Sequence, residues 1–198
     1  MNDHITITGG IPLTGCVSLG GYKHSSVLLT NATMLLSQSM STLNNVSKTK
    51  DIVVLVNLAK NLGCAMQIID NALFVNADNL TYRELPDEIL SSVHGSIYLM
   101  PVLLARLGVA PLFSPGGCKI EGRSEKNVLD VLVGMGAIIN PDKRRLEAPR
   151  GLTGTNFNLG NLFPMSSRAG ATKTALLAGS LACGITEIRH PYLRQEIF

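Results

Sequence analysis

Lys50-Asp51-Ile52-Val53-Val54-Leu55-Val56-Asn57-Leu58-Ala59-Lys60-Asn61-Leu62-Gly63 is the stretch whose reading decides the fold. Ile52, Leu55, Leu58 and Ala59 fall on one stripe at helical spacing, which predicts an amphipathic helix over 50–62. Gly63 then supplies the left-handed residue that commonly ends a helix. Two strand-like runs follow, Cys64 to Ile69 and Leu73 to Asn76, separated by a turn at Asp70-Asn71. The same order recurs later in the chain. Val128, Leu129, Leu132 and Val133 form a helical stripe, Gly136 ends it, and Ile138-Ile139 and Arg145-Leu146-Glu147 flank a turn at Pro141-Asp142.

Working outward, each helix-hairpin block is preceded by another helix and a short strand. The first block runs from Lys23 through Val27-Leu28-Leu29 and Met34-Leu35-Leu36 into Ser41-Thr42-Leu43. The second runs from Gly95-Ser96 through Val102-Leu103-Leu104 to Ala110-Pro111-Leu112-Phe113. A third runs from Gly170-Ala171-Thr172 through Ala175-Leu176-Leu177 to Ile185-Thr186-Glu187-Ile188. Leu43, Leu112 and Ile188 occupy equivalent places, roughly seventy residues apart, as expected for three copies of one helix-strand-helix-hairpin unit. The third copy reaches Phe198 where its amphipathic helix is due, so this unit is expected to be incomplete. Ile5-Thr6-Ile7 and Val17-Ser18-Leu19 are expected as strands that precede the first unit.

Composition narrows the class. With 198 residues, 45% of them apolar and 16% charged, the chain is long enough for a substantial core. It has no apolar run of the roughly 18 residues that a membrane span requires. A net charge of +3, 5% aromatics and no Trp argue against a nucleic-acid partner. Cys16, Cys64 and Cys183 sit among apolar or small neighbours and read as core residues. No cysteine or histidine spacing fits zinc, and the opening Met1-Asn2-Asp3-His4-Ile5 has no secretory character. Free thiols in a reducing cytoplasm are expected.

Cys118 differs from the other three. It lies in Pro115-Gly116-Gly117-Cys118-Lys119-Ile120-Glu121-Gly122-Arg123, where two cations favour the thiolate and glycines permit close approach of a ligand. Taken alone, the segment also reads as a small buried residue beside a turn.

Gly21-Tyr22-Lys23, Pro115-Gly116-Gly117-Cys118 and the following Gly122-Arg123, set among three such units, resemble the enolpyruvyl transferase family, in particular its branch acting on UDP-N-acetylglucosamine. The resemblance spans nearly all of this chain and about the first half of the family's length. It implies an α/β (α+β) domain, an inside-out α/β barrel-like assembly of three units over about 21–90, 91–160 and 161–198, with residues 1–20 belonging to an adjoining domain. It also implies transfer of the enolpyruvyl group of phosphoenolpyruvate to a hydroxyl of a UDP-amino sugar, with release of phosphate and no cofactor or metal. Cys118 matches the loop cysteine that serves as general acid and reacts with fosfomycin, Lys23 the lysine that contacts phosphoenolpyruvate, and Arg123 the arginine near its phosphate. Peptidoglycan biosynthesis in the cytoplasm is the setting this implies.

Departures from the family pattern fall on the nucleotide side. His24 replaces an Asn, His94 an Arg, and Ser124-Glu125-Lys126-Asn127 replaces a Pro-Val-Asp stretch. Ser166-Ser167-Arg168-Ala169 precedes Gly170-Ala171-Thr172 where Ser-Val-Gly-Ala-Thr is usual. A paralogue using another nucleotide or sugar acceptor fits these changes, as does a non-catalytic half-protein that pairs with a partner chain. By the resemblance, the general base and further cations lie in a second, C-terminal domain. These 198 residues alone are therefore expected to be inactive.

Overall fold

The computed structural model describes residues 6, 10, 14–36, 39–116 and 125–198. Helix α1 (Lys23–Thr33) leads to strand β1 (Met40–Leu43), helix α2 (Lys50–Asn61) and the hairpin β2 (Ala65–Ile69) and β3 (Ala72–Asn76). After the short α3 (Asp87–Leu90) and a 3-10 turn over His94–Tyr98 come α4 (Leu99–Leu107), β4 (Val109–Pro111), α5 (Lys126–Gly134) and the hairpin β5 (Ile138–Asn140) and β6 (Arg145–Glu147). The last elements are β7 (Asn156–Asn158), α6 (Leu159–Leu162), α7 (Met165–Gly179), β8 (Glu187–Arg189) and a 3-10 turn over Gln195–Ile197.

Helix α2 forms where its stripe requires. Ile52, Leu55, Val56, Leu58 and Ala59 are buried, Asp51 lies in its first turn and Lys60 in its last, each sign suited to the helix dipole. Gly63 has φ +94°, and a Cβ there would run into the Asn79 carbonyl. Asp70, at φ +53°, turns the hairpin so that Ile69 pairs with Ala72. Leu73 and Val75 of the central strand are buried. The second block repeats these devices, with Gly136 at φ +96° and Arg144 at φ +51° in the turn. The stripe on α5 is Val128, Val131 and Leu132 rather than the expected set, because i, i+3, i+4 spacing from Val128 selects Val131; Val133 is 46% exposed.

Two three-stranded antiparallel sheets share one pattern, β1-β3-β2 and β4-β6-β5, with the last strand of each hairpin in the middle. The third sheet pairs β7 with β8 in parallel, and α7 makes the crossover that a parallel pair demands. Helices α1 and α2 pack together, and α7 packs against both α4 and α5. Met34, Leu55, Leu58, Leu99, Leu103 and Leu132 are among the fully buried side chains between these layers. Helix α7 has no single apolar stripe: Ala171, Thr172, Lys173, Thr174, Ala175, Leu177 and Ala178 are all buried.

The mixed α/β class agrees with the sequence reading, whereas the barrel-like closure does not. The sheets are three separate small ones, and there is no closed barrel among the described residues. Residues 17–19 make no strand, and Val17 and Leu19 are 86% and 88% exposed. Cys64 is buried, and burial pushes its thiol up to about 11, against the opposing charge of Arg106. Cys16 and Cys183 are exposed rather than core residues; the backbone of Cys183 is pinned to Leu152 and Gly154 at the surface.

Arg106 joins the blocks. Its guanidinium donates to the carbonyls of Met34 (3.1 Å) and Leu36 (2.7 Å), just past the end of α1, and to that of Ala77 (3.3 Å), which also accepts from the Leu80 amide. Arg106→Ala is expected to cost about 2 kcal/mol in denaturant unfolding, the scale of charge-assisted hydrogen bonds lost from partly buried acceptors. Arg106→Lys should recover less than half of that, since a single ammonium cannot span three carbonyls in a planar fork.

Candidate functional site

Gly21 precedes α1 because nothing larger fits. A Cβ at this position would collide with the Asn45 carbonyl, and Asn45 itself takes φ +54°. One turn on, Ser26 Oγ donates to the Tyr22 carbonyl at 3.0 Å and accepts from the Ser47 amide at 2.9 Å, which anchors the start of α1 to the chain entering α2. These ties place Lys23 and His24 opposite Lys50 and Asp51. Lys23 Nζ lies 2.9 Å from Asp51 Oδ2.

Around this point α1, α2, the 94–98 turn, α5, α7 and the 192–196 segment enclose a cavity of about 440 Å³. That volume lies within the range of small-ligand sites. The 94–98 turn is fixed by Ser96 Oγ, which lies 2.6 Å from the Leu90 carbonyl and 2.7 Å from that of Val93, so that His94 reaches the rim. At the start of α5, Asn127 donates through Nδ2 to the Ser167 carbonyl at 2.5 Å and accepts from the Val128 amide at 3.0 Å. A Cβ on Gly170 would come within 2.9 Å of Asn127 Nδ2, so a larger residue there would displace the Asn127 amide that ties α5 to Ser167.

One wall carries a buried ion pair. Lys173 Nζ lies 2.8 Å from Glu196 Oε1, with side chains 7% and 0% exposed, and 5.8 Å from the centre of the Tyr98 ring. Glu196 Oε2 has no hydrogen-bond partner among the described residues. Burial pushes the Glu196 carboxyl up, and Lys173, its own backbone amide and the charge of His24 together more than offset it, leaving Glu196 below its ordinary value. His24 is held below its ordinary value by burial first and then by the positive charge of Lys173, with Glu196 opposing. Arg194 stacks on Tyr192, 4.9 Å from the ring centre, and donates to its hydroxyl at 2.9 Å. The described lining carries four permanent cations, Lys23, Lys50, Lys173 and Arg194, against two carboxylates, Asp51 and Glu196. A surplus of this sign favours an anionic ligand.

Of the residues singled out from sequence, Lys23, His24, His94, Asn127, Ser166, Ser167 and Ala169 come together here. Glu125, Lys126 and Arg168 do not line the cavity. Glu125 accepts from Ser114 Oγ at 2.8 Å, and Lys126 pairs with Asp130 at 2.7 Å on the exposed side of α5. Arg168 turns back to the carbonyls of Phe163 (2.9 Å) and Gly160 (3.2 Å), which it caps. Cys118, Arg123 and Ser124 lie outside the described residues. Sequence reading passed over Lys50, Asp51, Tyr192, Arg194 and the Lys173–Glu196 pair. A lysine inside Ala171-Thr172-Lys173-Thr174-Ala175 was the available signal, since a charge among small buried residues needs a partner.

Curated relatives include the UDP-N-acetylglucosamine 1-carboxyvinyltransferases of Prochlorococcus marinus (strain NATL1A), 32% identical over 199 residues, and Prosthecochloris aestuarii (strain DSM 271 / SK 413), 35% identical over 198. Each match covers 98% of this chain but only 42% and 45% of the respective relative, so the chain spans less than half their length. Among solved structures, the enolpyruvyl transferase NikO from Streptomyces tendae superposes with a TM-score of 0.81 at 30% identity, over 96% of this chain and 44% of that one. An EPSP synthase from Acinetobacter baumannii, 17% identical with a TM-score of 0.69 over 92% of this chain and 42% of that one, shares the fold. With residues 7–197 matching the family described as EPSP synthase (3-phosphoshikimate 1-carboxyvinyltransferase), the chain belongs to that family of enolpyruvyl transferases.

Proposed function

We propose that this chain forms one wall of the active site of an enzyme that moves the enolpyruvyl group of phosphoenolpyruvate to a hydroxyl of a UDP-amino sugar resembling UDP-N-acetylglucosamine. The cation surplus around Lys23, in a cavity of ligand size, is the observation that carries this reading. The acceptor hydroxyl adds to C2 of phosphoenolpyruvate while a proton goes to its methylene carbon; loss of phosphate and of a proton from the new methyl group then yields the enol ether. In this scheme Cys118 delivers the proton to the methylene carbon, and Lys23 and Arg123 hold phosphate and carboxylate charge. A thiol beside Lys119 and Arg123 suits proton transfer near neutral pH.

The internal repeat belongs to the same reading. Units over about 21–90 and 91–160 each bring a helix start to the cavity, the third begins near 161, and residues 1–20 go with an adjoining domain. The remainder of the site, including the base that accepts the hydroxyl proton, comes from sequence outside these 198 residues or from a partner chain. A cytoplasmic setting, in cell-wall precursor synthesis, goes with this reading. Among the described residues no helix is long and apolar enough to cross a membrane.

A second reading, an acceptor other than UDP-N-acetylglucosamine, is favoured by the histidines His24 and His94 and by Ser166, Ser167 and Ala169 at the cavity wall. Turnover assays across nucleotide and nucleotide-sugar acceptors, with the rest of the enzyme supplied, separate the two. The 198 residues alone are expected to release no phosphate from phosphoenolpyruvate and UDP-N-acetylglucosamine, and robust turnover would refute the half-site. Fosfomycin is expected to leave a single adduct by intact mass, absent in Cys118→Ser. A folded chain that stays unmodified at Cys118 would overturn its role.

A further inference from the structure

We propose that anion binding in this cavity is proton-coupled through His24: the imidazole is neutral in the free chain and takes up a proton as an anion enters. The proposal rests on the reading of the cavity as an anion site, and it adds a property that the change from Asn to His introduces.

The geometry supplies the switch. His24 is half-buried in the first turn of α1, where the helix amides disfavour a second positive charge, and its ring lies 5.2 Å from that of Tyr22, tilted by 47°. Its own helix also brings Lys23. Helix α2 contributes Lys50 and Asp51, and the 94–98 turn contributes His94 and Tyr98. Helix α7 brings Lys173, and the 192–196 segment brings Tyr192, Arg194 and Glu196. Both carboxylates are already engaged, Asp51 by Lys23 at 2.9 Å and Glu196 by Lys173 at 2.8 Å. What His24 meets is therefore a net positive field on a partly desolvated ring, which agrees with the direction of its shift. An anion in the cavity reverses the sign of that field, and an opposite charge within ~4–6 Å is enough to favour the imidazolium.

The linkage has a definite sign. The free value lies below 6.5, and an entering anion raises it. Between the free and the raised value each bound anion takes up as much as one proton, and affinity rises by up to about tenfold per pH unit as pH falls. Below the free value the dependence levels off.

Sulfate is the probe, because its charge does not change over this range. The titration of each histidine ring is followed by NMR in the 198-residue chain with and without sulfate, and sulfate binding is measured calorimetrically in two buffers of different ionisation enthalpy. The expected result is an upward move of the His24 midpoint and proton uptake that disappears in His24→Asn, which keeps a neutral donor, and persists in His94→Asn. Sulfate that binds without moving His24, or whose proton uptake follows His94 instead, overturns the proposal and leaves the anion site standing. A chain that binds no sulfate overturns both.

Discussion

Glu196→Ala is expected to lower stability by about 3 kcal/mol, the lower end of the cost of orphaning one member of a buried ion pair. Lys173 is 5% exposed on the inward side of α7, and its ammonium has Glu196 Oε1 at 2.8 Å and the Tyr98 face at 5.8 Å. Among the described residues, removing the carboxylate leaves the Tyr98 ring as the charge's remaining partner, and the adjoining cavity lets some water in, which is why the low end applies. The double replacement Lys173→Met with Glu196→Leu should recover at least half the loss, since neither charge then needs a partner. Urea unfolding of the four-member cycle is the measurement; additive costs would show that the pair is not coupled. Acid acts on the same wall in two stages. His24, depressed in the folded chain, makes stability fall once pH drops below 6.5, because the unfolded chain then binds the proton more readily. Glu196, also depressed, contributes stability that is present above 4.5 and is lost as pH falls through its lower folded value.

How much of this was legible in the sequence depended on whether a residue's role was local. Gly63 and Gly136 mark helix ends through a backbone conformation that other residues rarely adopt, so their matching positions exposed two like blocks before any contact was known. The turn at Asp70-Asn71 was equally plain, because a hairpin needs its own short-range chemistry. The α5 stripe was legible only to within one step, since Val131 and Val133 are alike in type and only packing against α7 distinguishes them. At the site, Lys23, His24 and His94 were found through the motif and its departures from the family pattern. Glu196 and Arg194 were not, because their meaning comes from a meeting with α7 and α1 across long sequence separations, and no spacing rule encodes that. Arg168 failed in the opposite way. Its position beside Ser167 suggested the cavity, but unpaired carbonyls at Gly160 and Phe163 were nearer and drew the guanidinium away.

Lys23→Met is expected to weaken phosphoenolpyruvate binding by roughly 30- to 150-fold, or about 2–3 kcal/mol, more than the loss of one exposed cation would produce. The reason is Asp51, which is 13% exposed and 2.9 Å from the Lys23 ammonium. Without Lys23 the cavity loses one of its four permanent cations and also gains an uncompensated carboxylate facing the ligand, so the charge surplus that attracts the anion falls from two to one and a local repulsion is added. Two alternatives separate cleanly. If Lys23 acts only as a direct contact, Lys23→Met and Lys23→Met with Asp51→Asn should bind equally weakly. If the exposed negative charge is a large part of the loss, the double variant should regain about tenfold, because neutralising Asp51 restores the surplus of two. Binding is read by NMR or calorimetry at fixed ionic strength, since at this partly open site added salt compresses both differences. A Lys23→Met chain that binds phosphoenolpyruvate as well as the parent would remove Lys23 from the site altogether.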